Sequence, residues 1–119
     1  MKKISSYKDL QVWQRSRKLC THTYEITAAF PKEELFGLTS QLRRASVSVA
    51  VNIAEGFSRH GTKDYINFIS ISIGSLTELE ALYILSEDLK YLNAADELQE
   101  INELQKMLHA LSNSLKEKL

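Results

Sequence analysis

The side chains able to ligate a metal or act as nucleophiles are few: His22, His60, His109 and the single Cys20. No two histidines stand four apart, so the spacing that places two imidazoles on one helix face for zinc is missing. A carboxylate-bridged di-iron bundle needs Glu-x-x-His on two helices, whereas His22-Thr23-Tyr24-Glu25 has the reverse order and occurs once. Cys20 has no base at helical spacing to activate it and reads as a small packed thiol. Glycine-rich phosphate loops and the Gly-x-Ser-x-Gly nucleophile turn do not occur. These absences lead us to expect no catalytic centre, no metal and no cofactor.

Charge is the remaining source of chemistry. The net charge is zero, yet residues 1–60 carry +5 and residues 61–119 carry −5. Arg15, Lys18, Arg43, Arg44, Arg59 and Lys63 are candidate phosphate contacts for a nucleic acid, which requires several cations on one surface. Repetition of a weak basic patch around an oligomer would strengthen it. The competing reading is that these cations pair with carboxylates of the acidic half, within one chain or between copies. Arg44 and Glu55 lie eleven residues apart, about three helical turns, and so share a side of one helix. With Asn52, Glu78 and Glu80 they form a candidate structural polar cluster. Asn52 is expected to be a hydrogen-bonded core residue.

These groups must be positioned by helices. Breaks at Pro31, Gly61 and Asn93 divide the 119 residues into four segments of helical length. The expected fold is all-α, one domain spanning residues 1–119, an antiparallel up-down-up-down four-helix bundle with short connections. Helices are expected near 8–29 with Ser6 as N-cap, 33–59, 63–91 with Thr62 as cap, and 94–118 with Asn93 as cap. In the third segment Tyr65, Phe68, Ile69, Leu76, Leu79 and Tyr83 share a face widened by Ile71, Leu82 and Leu89. Gly74 falls mid-helix, where a close contact would offset its low helix propensity. No unbroken apolar run approaches the roughly 20 residues of a membrane span, and one cysteine suits a reducing compartment, so a cytoplasmic protein is expected.

The first two segments each carry two apolar stripes. Leu10, Trp13, Cys20 and Tyr24 form one on the first helix, with Val12, Leu19 and Ile26 nearly opposite. The second helix adds Val47, Val51 and Ala54 to its main stripe of Leu38, Leu42, Ala45 and Val49. A helix in a lone bundle needs one buried face, so Val12, Leu19, Ile26, Val47, Val51 and Ala54 are candidate contacts between subunits. Zero net charge removes one barrier to such association.

Several motifs occur in order: Tyr7-Lys8-Asp9-Leu10-x-x-Trp13, Phe30-Pro31-x-Glu33-Glu34, Gly37-Leu38-Thr39-x-Gln41-Leu42-Arg43-Arg44-Ala45, Asn52-Ile53-Ala54-Glu55-Gly56 and Gly74-Ser75-x-x-Glu78-Leu79-Glu80. Over roughly residues 6–92 the chain resembles the four-helix-bundle proteins encoded in intervening sequences of bacterial 23S rRNA genes. One departure is Val49-Ala50-Val51, where that family often has Ile-Pro before the asparagine. The resemblance implies a bundle that assembles as a homopentamer, and its gene context suggests RNA. The family is also similar to the accessory variability protein of diversity-generating retroelements, a basic pentameric bundle that binds nucleic acid and a reverse transcriptase. The function expected is therefore a non-enzymatic oligomeric scaffold binding RNA or a ribonucleoprotein partner. The alternative is a protein-only interaction module whose basic and acidic surfaces serve self-assembly.

Overall fold

Punctuation by proline, glycine and asparagine yields four α-helices, and the computed structural model describes residues 3–119. They are α1 (Gln11–Thr27), α2 (Leu38–Phe57), α3 (Thr62–Asp88) and α4 (Ala95–Lys116). Two 3-10 turns, Tyr7–Asp9 and Lys32–Glu34, precede α1 and α2. No strand occurs among the described residues.

Local hydrogen bonds explain why α1 and α2 start later than periodicity predicts. Ser6 caps the first 3-10 turn in a capping box with Asp9, and α1 then begins after an extended Leu10 without a side-chain cap. The second helix waits for Leu38, whose N–H donates to Glu34 Oε1 at 3.1 Å. Glu34 also accepts from the Tyr91 hydroxyl at 2.9 Å, which fixes the α1–α2 connection against the end of α3. Thr62 is the first residue of α3 rather than its cap, a place taken by Gly61. At the other end Lys90 adopts left-handed φ 64°. The N–H groups of Lys90 and Tyr91 donate to the carbonyls of Glu87 and Ser86, closing α3 in a Schellman-type turn. Asn93 accepts from Ala95 N–H at 3.0 Å, while the N-cap position of α4 belongs to Ala94.

Side-chain pairings run in opposite senses along neighbouring helices, which is compatible with antiparallel packing. Ser48 meets Ser75 at 2.8 Å, Ser72 Oγ donates to the Val49 carbonyl, and Gly56 lies against Phe68 and Tyr65. Arg43 reaches Thr27 while Ser46 reaches Cys20. The core is built from Leu42, Val49, Ile53, Ile69, Leu76, Leu79, Tyr83, Ile101, Leu104 and Leu108, all at most 1% exposed.

Two expectations about faces are corrected. Val12 and Leu19 are 6% and 5% exposed, within the core of one chain, and Ile26 is half-buried against it. Val12 and Leu19 are therefore core residues rather than subunit contacts, packed where α4 lies beside α1. On α3, Ile71 and Leu89 do not widen the buried face but are exposed, as are Ile84 and Leu85. The outward side of α3 is thus apolar too. By length and composition alone α3 could cross a membrane, with mean hydropathy 1.4 over 18 residues of which 39% are buried in the chain. Scattered serines and threonines conceal this from a count of unbroken apolar residues.

Candidate functional site

Two regions combine unusual chemistry with accessible space. The first is the seam between α1 and α4. Arg15 Nε donates to Glu100 Oε2 at 3.0 Å, and His22 Nε2 lies 2.6 Å from Glu97 Oε2. The hydrogen bond to Glu100 raises the pKa of Arg15 above its ordinary value. Glu97 is only 7% exposed, and its other oxygen, like the hydroxyl of Ser16, is buried without a hydrogen-bond partner. Nearby, Thr23 Oγ1 donates to the Leu19 carbonyl at 2.8 Å and stands 2.7 Å from the fully buried Tyr83 hydroxyl. A cavity of about 230 Å³ in this seam is lined by Arg15, Lys18, Leu19, His22, Asp96, Glu97 and Glu100. Cations and carboxylates there are intermixed, and no group of three or more metal-ligating side chains occurs among the described residues.

Burial pushes the Tyr83 phenol up to about 12, with the Glu97 charge adding to the effect. An unfolded tyrosine ionises near pH 10, so the folded chain keeps a proton that the unfolded chain releases. The associated stability is fully present below pH 10 and falls as pH rises toward 12. A shift of that size corresponds to about 3 kcal/mol. Urea unfolding midpoints should therefore drop between pH 10 and 12, and Tyr83→Phe should flatten that drop while costing about 1 kcal/mol at pH 7. An equally steep alkaline loss in Tyr83→Phe would assign it to other groups.

The second region is a cleft of about 400 Å³ between α1 and α2, lined by Tyr7, Trp13, Arg17, Cys20, Thr21, Val47, Ala50, Val51, Ala54 and Glu55. Its walls are mostly apolar. Val47 and Val51 are 38% and 46% exposed, and Ala54 is half-buried beside them. The Arg17 guanidinium stacks over Trp13 with 5.6 Å to the ring centre. The half of the subunit-contact expectation that concerned Val47, Val51 and Ala54 therefore falls on accessible surface. Cys20 lines this cleft and lies 3.5 Å from Ser46 Oγ.

The six candidate phosphate contacts do not form one free surface. Arg15 is engaged by Glu100, and Arg43 donates to Thr27 Oγ1 and the Tyr24 carbonyl while covering the Tyr24 ring. Arg59 pairs with Glu55 at 3.8 Å and stacks on Phe68. Lys18, Arg44 and Lys63 are exposed and have no ion pair among the described residues. The expected polar cluster is likewise only partly assembled. Asn52 is hydrogen-bonded but not a core residue: it is half-buried, and its Nδ2 donates to the Ser48 carbonyl and hydroxyl oxygens on its own helix at 2.8 and 3.1 Å. Arg44, Asn52 and Glu78 line one shallow cleft, but no ion pair joins Arg44 to Glu55, Glu78 or Glu80 among the described residues. Residues two apart on a helix do not share a face, so Glu78 and Glu80 could not both meet Arg44.

Sequence reasoning missed the His22–Glu97 and Arg15–Glu100 pairs, which span 75 and 85 residues. The Glu97 spacing relative to Ile101, Leu104 and Leu108 places it on the buried stripe of α4, and that was the available signal.

The fold and these surfaces can be set beside known proteins. A protein of unknown function from the S23 ribosomal protein family of Bacteroides thetaiotaomicron superposes with a TM-score of 0.77 at 20% identity, covering 85% of this chain and 97% of that one. That likeness establishes a shared fold. No curated protein matches the chain. The sequence profile of the family described as 23S rRNA-intervening sequence protein matches residues 8–110, which is most of the length, and the chain belongs to that family.

Proposed function

We propose that this protein is a non-enzymatic scaffold that works as a homo-oligomer of antiparallel up-down-up-down bundles. The observation that carries this reading is the open apolar cleft between α1 and α2, where Val47 and Val51 stay exposed although the core is complete without them. Contiguous exposed apolar surface marks an interaction site more often than a free surface. The number five is taken from the family resemblance. Size exclusion with light scattering should give a mass of several chains at micromolar concentration, and a 13.6 kDa species throughout would overturn the proposal.

A second reading, RNA binding by the assembled scaffold, is favoured by the unpaired state of Lys18, Arg44 and Lys63. Each copy would contribute only a few phosphate contacts, so affinity should fall steeply with salt and depend on assembly. Arg44→Ala should change stability by less than about 0.5 kcal/mol, since its head is exposed. It should weaken binding to structured RNA, measured at low salt beside a charge-matched control protein. Absence of binding at low salt would leave a protein-only interaction module.

A further inference from the structure

Gly74 stands in the middle of α3, where glycine costs about 1 kcal/mol relative to alanine. Gly56 shows what normally compensates for this, since a Cβ there would lie 2.9 Å from Phe68 Cβ. Around Gly74 nothing lies within 4 Å of such a Cβ. Within one chain, therefore, no close approach accounts for the residue. Its surroundings on the outward side of α3 are Ile71, Ala81, Ile84 and Leu85, all exposed, the three larger side chains by 45–51%. Ile71, Gly74, Glu78, Ala81 and Leu85 recur at helical spacing and form one row with Gly74 and Ala81 as its low points, and Ile84 flanks it. One carboxylate, Glu78, stands within the row, and Asp88 stands at its end.

We infer that a second copy of this chain lays the outward row of its α3 into the α1–α2 cleft, its backbone closest at Gly74. This deepens the oligomeric reading above and rests on it. Apolar wall and apolar row match in character: Trp13, Val47 and Val51 on one side, Ile71, Ile84 and Leu85 on the other. Charge matches as well. The cleft is bordered by Arg17 and adjoins Arg44, its one lining carboxylate, Glu55, being paired with Arg59, while the row brings Glu78 and Asp88. The same complementarity appears in the +5 and −5 halves, because the cleft belongs to the first and the row to the second. A carboxylate in mid-row is costly against lipid but useful against a cationic rim. The two surfaces differ, so the contact is head-to-tail and leads to a ring or an open chain of copies.

Two single variants test the pairing. Gly74→Leu fills the low point of the row, and the open space around it leaves the folded subunit undisturbed. Val51→Asp places a charge in the cleft at an exposed position. Circular dichroism should show both fully helical. Wild type should sediment as an oligomer and each variant alone as a monomer. A 1:1 mixture should form a dimer, because one intact row can still meet one intact cleft. Unchanged oligomers in both variants would overturn this assignment while leaving the oligomeric reading intact. Monomers that stay apart when mixed would show that row and cleft do not meet each other. A monomeric wild type overturns both readings, and its flotation with phosphatidylcholine vesicles would give the α3 row to a lipid surface instead.

Discussion

Gly56→Leu is expected to destabilise the folded chain by about 3 kcal/mol, although helix propensity alone would favour the change by about 1 kcal/mol. The reason is the separation of α2 and α3 near their connection. A Cβ at Gly56 would stand 2.9 Å from Phe68 Cβ and 3.0 Å from Tyr65 Cδ1. The first of these atoms is fixed to the backbone of α3, so no rotamer change relieves the contact. The helices must move apart, which also strains the Phe57–Tyr65 edge contact and the Arg59 guanidinium over Phe68. Chemical denaturation at pH 7 gives the cost, with Gly56→Ala expected between wild type and leucine. A leucine variant as stable as wild type would mean that α3 yields freely there.

His22→Ala and Glu97→Leu should have unequal effects although they break the same pair. Removing the imidazole leaves a carboxylate that is 7% exposed, with one oxygen already lacking a partner and the other newly deprived of one. An uncompensated buried charge costs about 3–5 kcal/mol. The exposed position of His22 lets water relieve part of this, so about 3 kcal/mol is expected. Glu97→Leu instead removes the buried charge and its orphaned oxygen while keeping apolar contact with α1. Its cost should lie within about 1 kcal/mol of zero, and stabilisation is an acceptable outcome. Urea unfolding of both variants at pH 7 decides the matter. Equal losses would show that the pair acts through packing rather than through the burial of charge.

Four helices, their order and the family were legible in the sequence because they depend on local signals: breakers at Pro31, Gly61 and Asn93, helical periodicity and contiguous motifs. The stripe of α4 was legible for the same reason, since only one of its faces is apolar. On α1 the sequence offered two apolar stripes and no local rule for choosing between them. Packing where α4 lies beside α1 decided that Val12 and Leu19 belong to the core, leaving Trp13 and Cys20 at an open cleft. Helix starts were misplaced where distant groups intervene, as when Glu34 holds both Leu38 and Tyr91. Charge partners were the least legible, because Arg15, His22, Glu97 and Glu100 meet only once the first and last helices are side by side. The two helical glycines carry no local sign of their surroundings, yet Gly56 is pressed against α3 and Gly74 faces open space. Periodicity fixes which residues share a face; only the neighbouring helices determine what that face meets.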